Sequence, residues 1–346
     1  MKNTSQKNTQ DNKSTNKPLT FIDLFAGIGG IRLGFESAGF NCVFSSEFDK
    51  FAQKTYQENF GEVPHGDITL IDEKDIPKFD ILLAGFPCQP FSNSGLKMGF
   101  DDIRGTLFFH IARIIKHHKP KIIFLENVKG LKNHNKGNTF RVIKQTLEDL
   151  GYNIFFKIIN AKDFGVPQNR ERIYIIGFLD NIDFCFPESI CKNTKLNKIL
   201  EKNVAEKYTL SDKLWSGHLR RKQQHIDKGN GFGYSIFDEN SLYTSTISAR
   251  YYKDGSEILI KQDGKNPRKL TPREAARLQG FPDDFKIIVS DNQAYKQFGN
   301  SVCVPVIYSL ALQIKLSLEK PLLNHKTIEL DLFNYKKYED RKTASF

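Results

Sequence analysis

The chain has 346 residues, with 51 Lys and Arg against 40 Asp and Glu and a formal net charge of +11; it is long enough for two domains and a sizeable buried core. Five cysteines (Cys42, Cys88, Cys185, Cys191, Cys303) are odd in number and lack paired short spacing, which argues against a disulfide framework or a zinc site and leaves no metal expected. No apolar run approaches a membrane span, and the polar, unpatterned residues 1–18 read as a disordered tail rather than a targeting signal, so a cytoplasmic location is expected. The basic balance suits a polyanionic partner or a solvated surface and does not decide between them.

Strand-like apolar runs at 19–26, 41–48, 79–86, 121–128, 152–159 and 172–179 alternate with helix-patterned stretches at 31–39, 50–60, 106–118 and 139–151. This rhythm predicts an α/β fold with a doubly wound, mostly parallel sheet over residues 19–181. From 182 to 288 the pieces become short, glycine-rich, basic and aromatic, as in a second, smaller domain. Within it, Thr271, Pro272 and Glu274 open a helix that Gly280 and Pro282 end. Residues 289–320 contain a long apolar helix (301–318) expected to pack back on the first domain, and 321–346 form a C-terminal tail.

The first strand runs into Phe25, Ala26, Gly27, Ile28, Gly29 and Gly30. Glycines there let a backbone approach a ligand and leave helix amides for a negative group; a tight strand-to-helix turn is the alternative. Glu47, about twenty residues on, is placed to bind ribose hydroxyls, and Asp67 follows in GDIT. The full G-x-G-x-x-G of a pyrophosphate binder is missing, so an adenosine cofactor without phosphates, S-adenosylmethionine, fits best. The segment GFPCQPFSNSG (85–95) holds Cys88 between Pro87 and Pro90, at the end of a predicted buried strand where ligands sit in open α/β sheets. That is the setting of a nucleophile, with a buried structural cysteine as the alternative. Glu126 and Asn127 end the strand 121–128, as an acid at a site or as a helix cap. Arg170 and Arg172 alternate in a strand and can share one side, which is either functional or a solvated face.

Six blocks stand in one order: FIDLFAGIGG, GFPCQPFSNSG, ENVKG (126–130), QNRERIYIIGF (168–178), RKLTPREAARLQGFPDDF (268–285) and YKQFGNSVCVPV (295–306). Over residues 19–320 the chain resembles the cytosine-C5 DNA methyltransferases, with catalytic blocks like those of compact bacterial type II modification enzymes such as the HhaI methyltransferase. The resemblance implies a thiolate nucleophile at Cys88, an acid at Glu126, and contacts from Arg170 and Arg172 to the cytosine O2 and nearby backbone. It implies an S-adenosylmethionine pocket formed by Phe25, Gly27, Gly29, Gly30, Glu47, Phe48, Asp67, Ile68, Pro87, Leu107, Asn300 and Val302. Phe48 departs from the tryptophan of the HhaI-type enzyme, giving a smaller face to stack on adenine. Gln89, Ser92, Thr246, Arg250, Tyr251 and Tyr252 are implied DNA contacts, and the segment from Ser92 to Arg104 is expected to close over a flipped base.

The recognition stretch 229–260 looks like that of the Dcm and EcoRII methyltransferases, which points to the inner cytosine of a CC-N-GG or CC-W-GG site. The alternative is a scaffold shared by several specificities, including CCGG. The expected partners are double-stranded DNA and a restriction endonuclease as a separate chain, with this chain a monomer. Three rival readings stand beside this one: an RNA cytosine methyltransferase, a catalytically silent DNA-binding regulator, and a nucleotide-dependent oxidoreductase.

Overall fold

The computed structural model describes residues 17–87, 107–190, 194–231 and 233–319. Cys88, Gln89, Ser92 and the closing segment up to Arg104 lie outside the described residues. Six strands form one sheet: β1 (Thr20–Leu24), β2 (Asn41–Ser46), β3 (Ile81–Gly85), β4 (Ile122–Val128), β5 (Asn153–Asn160) and β6 (Glu171–Phe178). Their order is β2-β1-β3-β4-β6-β5, parallel from β2 through β4, with β6 running antiparallel to both of its neighbours. The fold is therefore the expected doubly wound, mostly parallel α/β sheet. Its central strands are continuous apolar runs because helices cover both faces.

One face packs under α1 (Gly30–Ser37) and α8 (Val304–Glu319), where Phe21, Leu83, Phe124 and Ile176 meet Phe35, Ile307 and Leu310. The other packs under α3 (Leu107–His118) and α4 (Asn138–Asp149), where Leu82, Ile123 and Ile175 meet Ile111, Ile115 and Leu147. Helix α2 (Lys50–Phe60) follows β2, with the Asp49 carboxylate accepting from the amides of Phe51 and Ala52 as its N-cap. Helix α8 packs Val306, Ile307, Leu310 and Ile314 into the apolar layer shared with α1 and the sheet.

The segment after 182 is built differently. It contains α5 (Asp212–Asp227), a two-residue strand pair β7 (Ile236–Phe237) and β8 (Leu259–Ile260), α6 (Pro272–Leu278) and α7 (Asp291–Asn300). Thr271 and Glu274 form a capping box at the start of α6, which makes the predicted helix opening real. The apolar cluster here joins Ile247, Tyr251, Leu270, Leu278, Tyr295 and Phe298 to Ile28, Leu33 and Ala52 of the first region. The returning chain is thus anchored on α1 and α2, beside the C-terminal edge of the sheet.

Candidate active site

The C-terminal ends of β1, β3 and β4, the start of β6 and the cavity-facing side of α7 enclose a cavity of about 540 Å³. This is where ligands sit in an open α/β sheet. After β1, Phe25 takes a left-handed backbone (φ 57°) and turns the chain into the glycine segment. Glu47 staples that turn: its Oε2 accepts from the Gly27 amide at 2.8 Å and its Oε1 from the Asp49 amide at 2.7 Å. Burial raises its pKa, against the pull of those amides. Both oxygens keep lone pairs for a ligand's hydroxyls.

Phe48 is 70% exposed at the rim, with its ring open to a planar partner. Asp67 is exposed and caps the turn at Ile68 by accepting from the Thr69 amide at 2.9 Å. Phe25, Gly27, Gly30, Glu47, Phe48, Asp67, Ile68, Pro87, Leu107, Asn300 and Val302 all line the cavity. Gly29 does not. It is the N-cap of α1 at φ 82°, and a Cβ there would lie 2.2 Å from the Phe60 ring, so its glycine serves the turn and not the cavity wall.

Deeper in, β3 and β4 set Gly85 opposite Glu126, and the missing side chain at Gly85 leaves room beside the Glu126 carboxyl. Asn127 is not a helix cap. Its Nδ2 donates to the Phe86 carbonyl at 2.8 Å and its Oδ1 accepts from the Val128 amide, which pins the chain entering Pro87 and Cys88. Burial lifts the Glu126 carboxyl above the ordinary carboxylate range, while Arg172 and then Arg170 pull it back. Arg172 Nε stands 3.2 Å from Glu126 Oε1.

Arg170 has a different task from Arg172. It is buried, and it donates from Nη1 to the Ile247 carbonyl and from Nη2 to the carbonyls of Gly299 and Ser301. Burial, with the neighbouring Arg172, pushes its guanidinium down to about 9. It clamps three chain segments together, and its buried Nε has no hydrogen-bond partner among the described residues.

The segment 244–250 is threaded between this clamp and the lead-in to β6. The Asn169 amide donates to the Thr244 carbonyl, the Thr244 amide donates to the Pro167 carbonyl, and the Ile247 amide donates to Gln168 Oε1. The Thr246 hydroxyl donates to the Asn169 carbonyl at 2.6 Å, so it serves this junction. Arg250 and Tyr252 are exposed. Tyr251 corrects the expected DNA contact: it is fully buried, its hydroxyl donating to the Ile258 carbonyl and accepting from the Leu270 amide, both at 2.7 Å. Adjacent tyrosines in an irregular segment point opposite ways, and the apolar cluster took the first.

Ser46, Asp49, Gln293, Lys296 and Gln297 also line the cavity and were not singled out from the sequence. Lys296 pairs with Asp49 at 2.8 Å. Among the described residues, Ser46 Oγ, Arg170 Nε, Gln293 Oε1 and Gln297 Nε2 are buried on this wall without a hydrogen-bond partner. The signal for the α7 residues was present: Gln293, Lys296, Gln297 and Asn300 fall at i, i+3, i+4 and i+7.

Residues 19–316 match the family model for C-5 cytosine-specific DNA methylases. The type II methyltransferase M.SsoII of Shigella sonnei is 64% identical over 304 residues, covering 86% of this chain and 80% of that one. M1.ScrFI of Lactococcus lactis subsp. cremoris is 60% identical over 316 residues, covering 90% and 81%. Among solved structures, the Entamoeba histolytica methyltransferase EhMeth superposes with a TM-score of 0.73 at 25% identity, covering 88% of this chain and all of that one. With the glycine turn, Phe86, Pro87, Glu126, Arg170, Arg172 and the end of α7 lining one cavity at the sheet's C-terminal edge, the chain belongs to the C-5 cytosine-specific DNA methylases and is a type II DNA (cytosine-5)-methyltransferase.

Proposed function

We propose that this enzyme methylates a flipped-out cytosine through covalent addition of Cys88, using S-adenosylmethionine. The single observation that carries the reading is Glu126: a buried carboxyl with raised pKa, ion-paired to Arg172, one residue from the Asn127 side chain that holds Phe86 ahead of Cys88. The donor set fits the cofactor. The wall offers the Glu47 carboxylate for ribose hydroxyls and the exposed Phe48 ring for adenine, which suits an adenosine ligand. When bound, S-adenosylmethionine supplies an electrophilic methyl group.

The protein's own residues supply the rest. Cytosine C5 is a poor nucleophile, and addition of the Cys88 thiolate at C6 turns the ring into an enamine with a nucleophilic C5. Electron density moves toward N3 as the C6–S bond forms, and Glu126, whose pKa burial raises, is the group to donate a proton there. Arg172 holds the carboxyl in place and faces the same cavity. Arg170 keeps the recognition segment and the α7 end in register with these groups. With the methyl on C5, loss of the C5 proton to water restores the C5–C6 double bond and expels Cys88 as its thiolate, and the N3 proton returns to Glu126.

We assign residues 19–181 to catalysis, 182–288 to target recognition and 289–320 to the return onto the sheet. The enzyme acts in the cytoplasm on double-stranded DNA as a monomer, beside a separate restriction endonuclease. The stretch 229–260 supports the inner cytosine of CC-N-GG or CC-W-GG as the target, with Arg250 and Tyr252 toward the bases.

Duplex DNA with 5-fluorocytosine at the target should trap the wild type covalently, since fluorine cannot leave as the proton does, while Cys88→Ala should bind DNA without trapping or turnover. Substantial turnover by Cys88→Ala would overturn the covalent mechanism. Bisulfite sequencing of a bacteriophage genome treated with the purified enzyme reads the target, and methylation only outside a CC…GG frame would sink that assignment.

A further inference from the structure

Beside Glu47 and Phe48 the cavity wall is completed by Gly66, Asp67 and Ile68, and these three residues belong to no strand. The chain enters that wall pinned to the end of β2: the Glu47 amide donates to the His65 carbonyl and the His65 amide to the Ser45 carbonyl, both at 2.8 Å. Beyond His65 it makes two 3-10 turns, Ile68–Leu70 and Glu73–Asp75. The internal bonds of such turns reach only three residues along the chain, so they do not fix where the turn stands against a ligand.

One side chain of α3 does fix it. Arg113 Nη2 donates to the Ile68 carbonyl at 2.8 Å and to the Ile71 carbonyl at 2.7 Å, Nη1 pairs with the Glu73 carboxylate, and Nε donates to His110 Nδ1 at 3.3 Å. A single guanidinium thus spans the segment from Ile68 to Glu73 and ties both turns to the helix. His118, at the end of α3, holds the same segment a second time, with Nε2 at 2.7 Å from the Glu73 carbonyl. Leu107, His110 and Arg113 fall at i, i+3 and i+6, so one stripe of α3 touches the cavity through Leu107 and carries the tether behind it. Burial lowers the His110 pKa, Arg113 adds to this and Asp67 opposes it, which leaves the ring neutral at pH 7 and Nδ1 an acceptor. Arg113 and His110 stand back from the cavity wall themselves.

Resting on the S-adenosylmethionine reading above, we propose that Arg113 is a positioning residue for cofactor binding, whose guanidinium holds the Asp67–Ile68 turn in its binding shape, aimed by Glu73 and His110. A planar fork with donors on three nitrogens can serve these acceptors together, whereas a lysine ammonium is a single point of attachment. Without the fork the turn adopts other shapes, and only the fraction of molecules with the wall in place binds cofactor. The chemical step, at Cys88 and Glu126, is left as it was.

The test combines calorimetric titration of the purified full chain with S-adenosylhomocysteine, methylation kinetics on duplex bacteriophage DNA, and hydrogen exchange. Arg113→Met keeps the aliphatic stem and removes the fork, and we expect it to bind S-adenosylhomocysteine about 10- to 100-fold more weakly, as the competent fraction falls. Arg113→Lys should recover part of that loss. KM for S-adenosylmethionine should rise in parallel, while kcat at saturating cofactor and KM for DNA stay within about twofold. Amides of residues 68–75 should exchange faster in Arg113→Met, with β4 unchanged. Glu73→Gln, which leaves the fork but loosens its anchor, should show a smaller loss in the same direction, and with Arg113→Lys it decides the matter should Arg113→Met fold poorly. Unchanged binding of S-adenosylhomocysteine by the folded Arg113 variants would overturn the proposal. So would an equal rise in both KM values, a fall in kcat with KM for S-adenosylmethionine unaltered, or weaker binding with no change in exchange at 68–75. Failure of the wild type to bind S-adenosylhomocysteine would instead overturn the cofactor reading itself.

Discussion

Two buried carboxyl groups, each fully shielded from solvent, show how differently the two regions are held together. Asp23 lies in β1 with neither oxygen in a well-formed hydrogen bond, and burial pushes its carboxyl up to about 8 against the opposing charge and backbone amide of Arg32. Glu274 lies in α6 with its oxygens saturated: Arg268 engages it bidentately at 2.7 and 2.8 Å, and the amides of Thr271 and Glu201 each donate at 2.8 Å. The sheet region has ladders and two apolar faces to define it, so it carries an unsatisfied acid. Among the described residues after 182 there are two two-residue strands, and side-chain bonds to backbone take over the work of a ladder. Polar burial is a tolerated cost in the first region and the organising element in the second.

Cutting the Glu274 network should give the largest effect. Glu274→Ala leaves Arg268 buried and unpaired, and an expected loss of about 3–5 kcal/mol should appear first in the region after residue 182. Hydrogen exchange would read it as lost protection of amides in 244–285 while β1, β3 and β4 stay protected. Uniform loss across both regions would mean that they unfold as one unit.

Asp23 sharpens the contrast through pH. The folded state keeps this carboxyl neutral up to about 8, whereas the unfolded chain ionises it near the ordinary value of 3.8. Between those values the folded state binds the extra proton, so stability is greatest below the unfolded pKa and is lost as pH rises toward 8. Asp23→Asn should remove a few kcal/mol of that slope, read from denaturant unfolding at pH 4 to 8. An unchanged slope would show that Asp23 is ionised and solvated in the fold.

The smallest effect falls where the regions touch. A Cβ on Gly299 would stand 2.3 Å from the Ser248 carbonyl, so Gly299→Ala must displace the backbone leading to Arg250. A cost of about 1–3 kcal/mol is expected. KM for DNA should rise more than KM for S-adenosylmethionine, because the recognition segment moves while Glu47 and Phe48 do not. A change confined to the cofactor would place the strain on the α7 side instead.

Much of the molecule was determined by the sequence alone. The six strands and the first four helices follow from apolar runs and three- to four-residue spacing, which are local patterns that burial on both faces enforces. The glycine turn, Glu47, Glu126 and the capping box at Thr271 were legible for the same reason: each occupies the end of a recognisable element. Only the tertiary structure decided the rest, because it depends on contacts between segments far apart in the chain. Arg170 becomes a clamp through Gly299 and Ser301, some 130 positions away, and Gln297 is oriented by Thr55 across 242 positions. Tyr251 and Tyr252 carry the same side chain in an irregular segment with no period to sort them. Which one faces the interior was settled by where the third apolar cluster lay, and that is a property of the assembled fold.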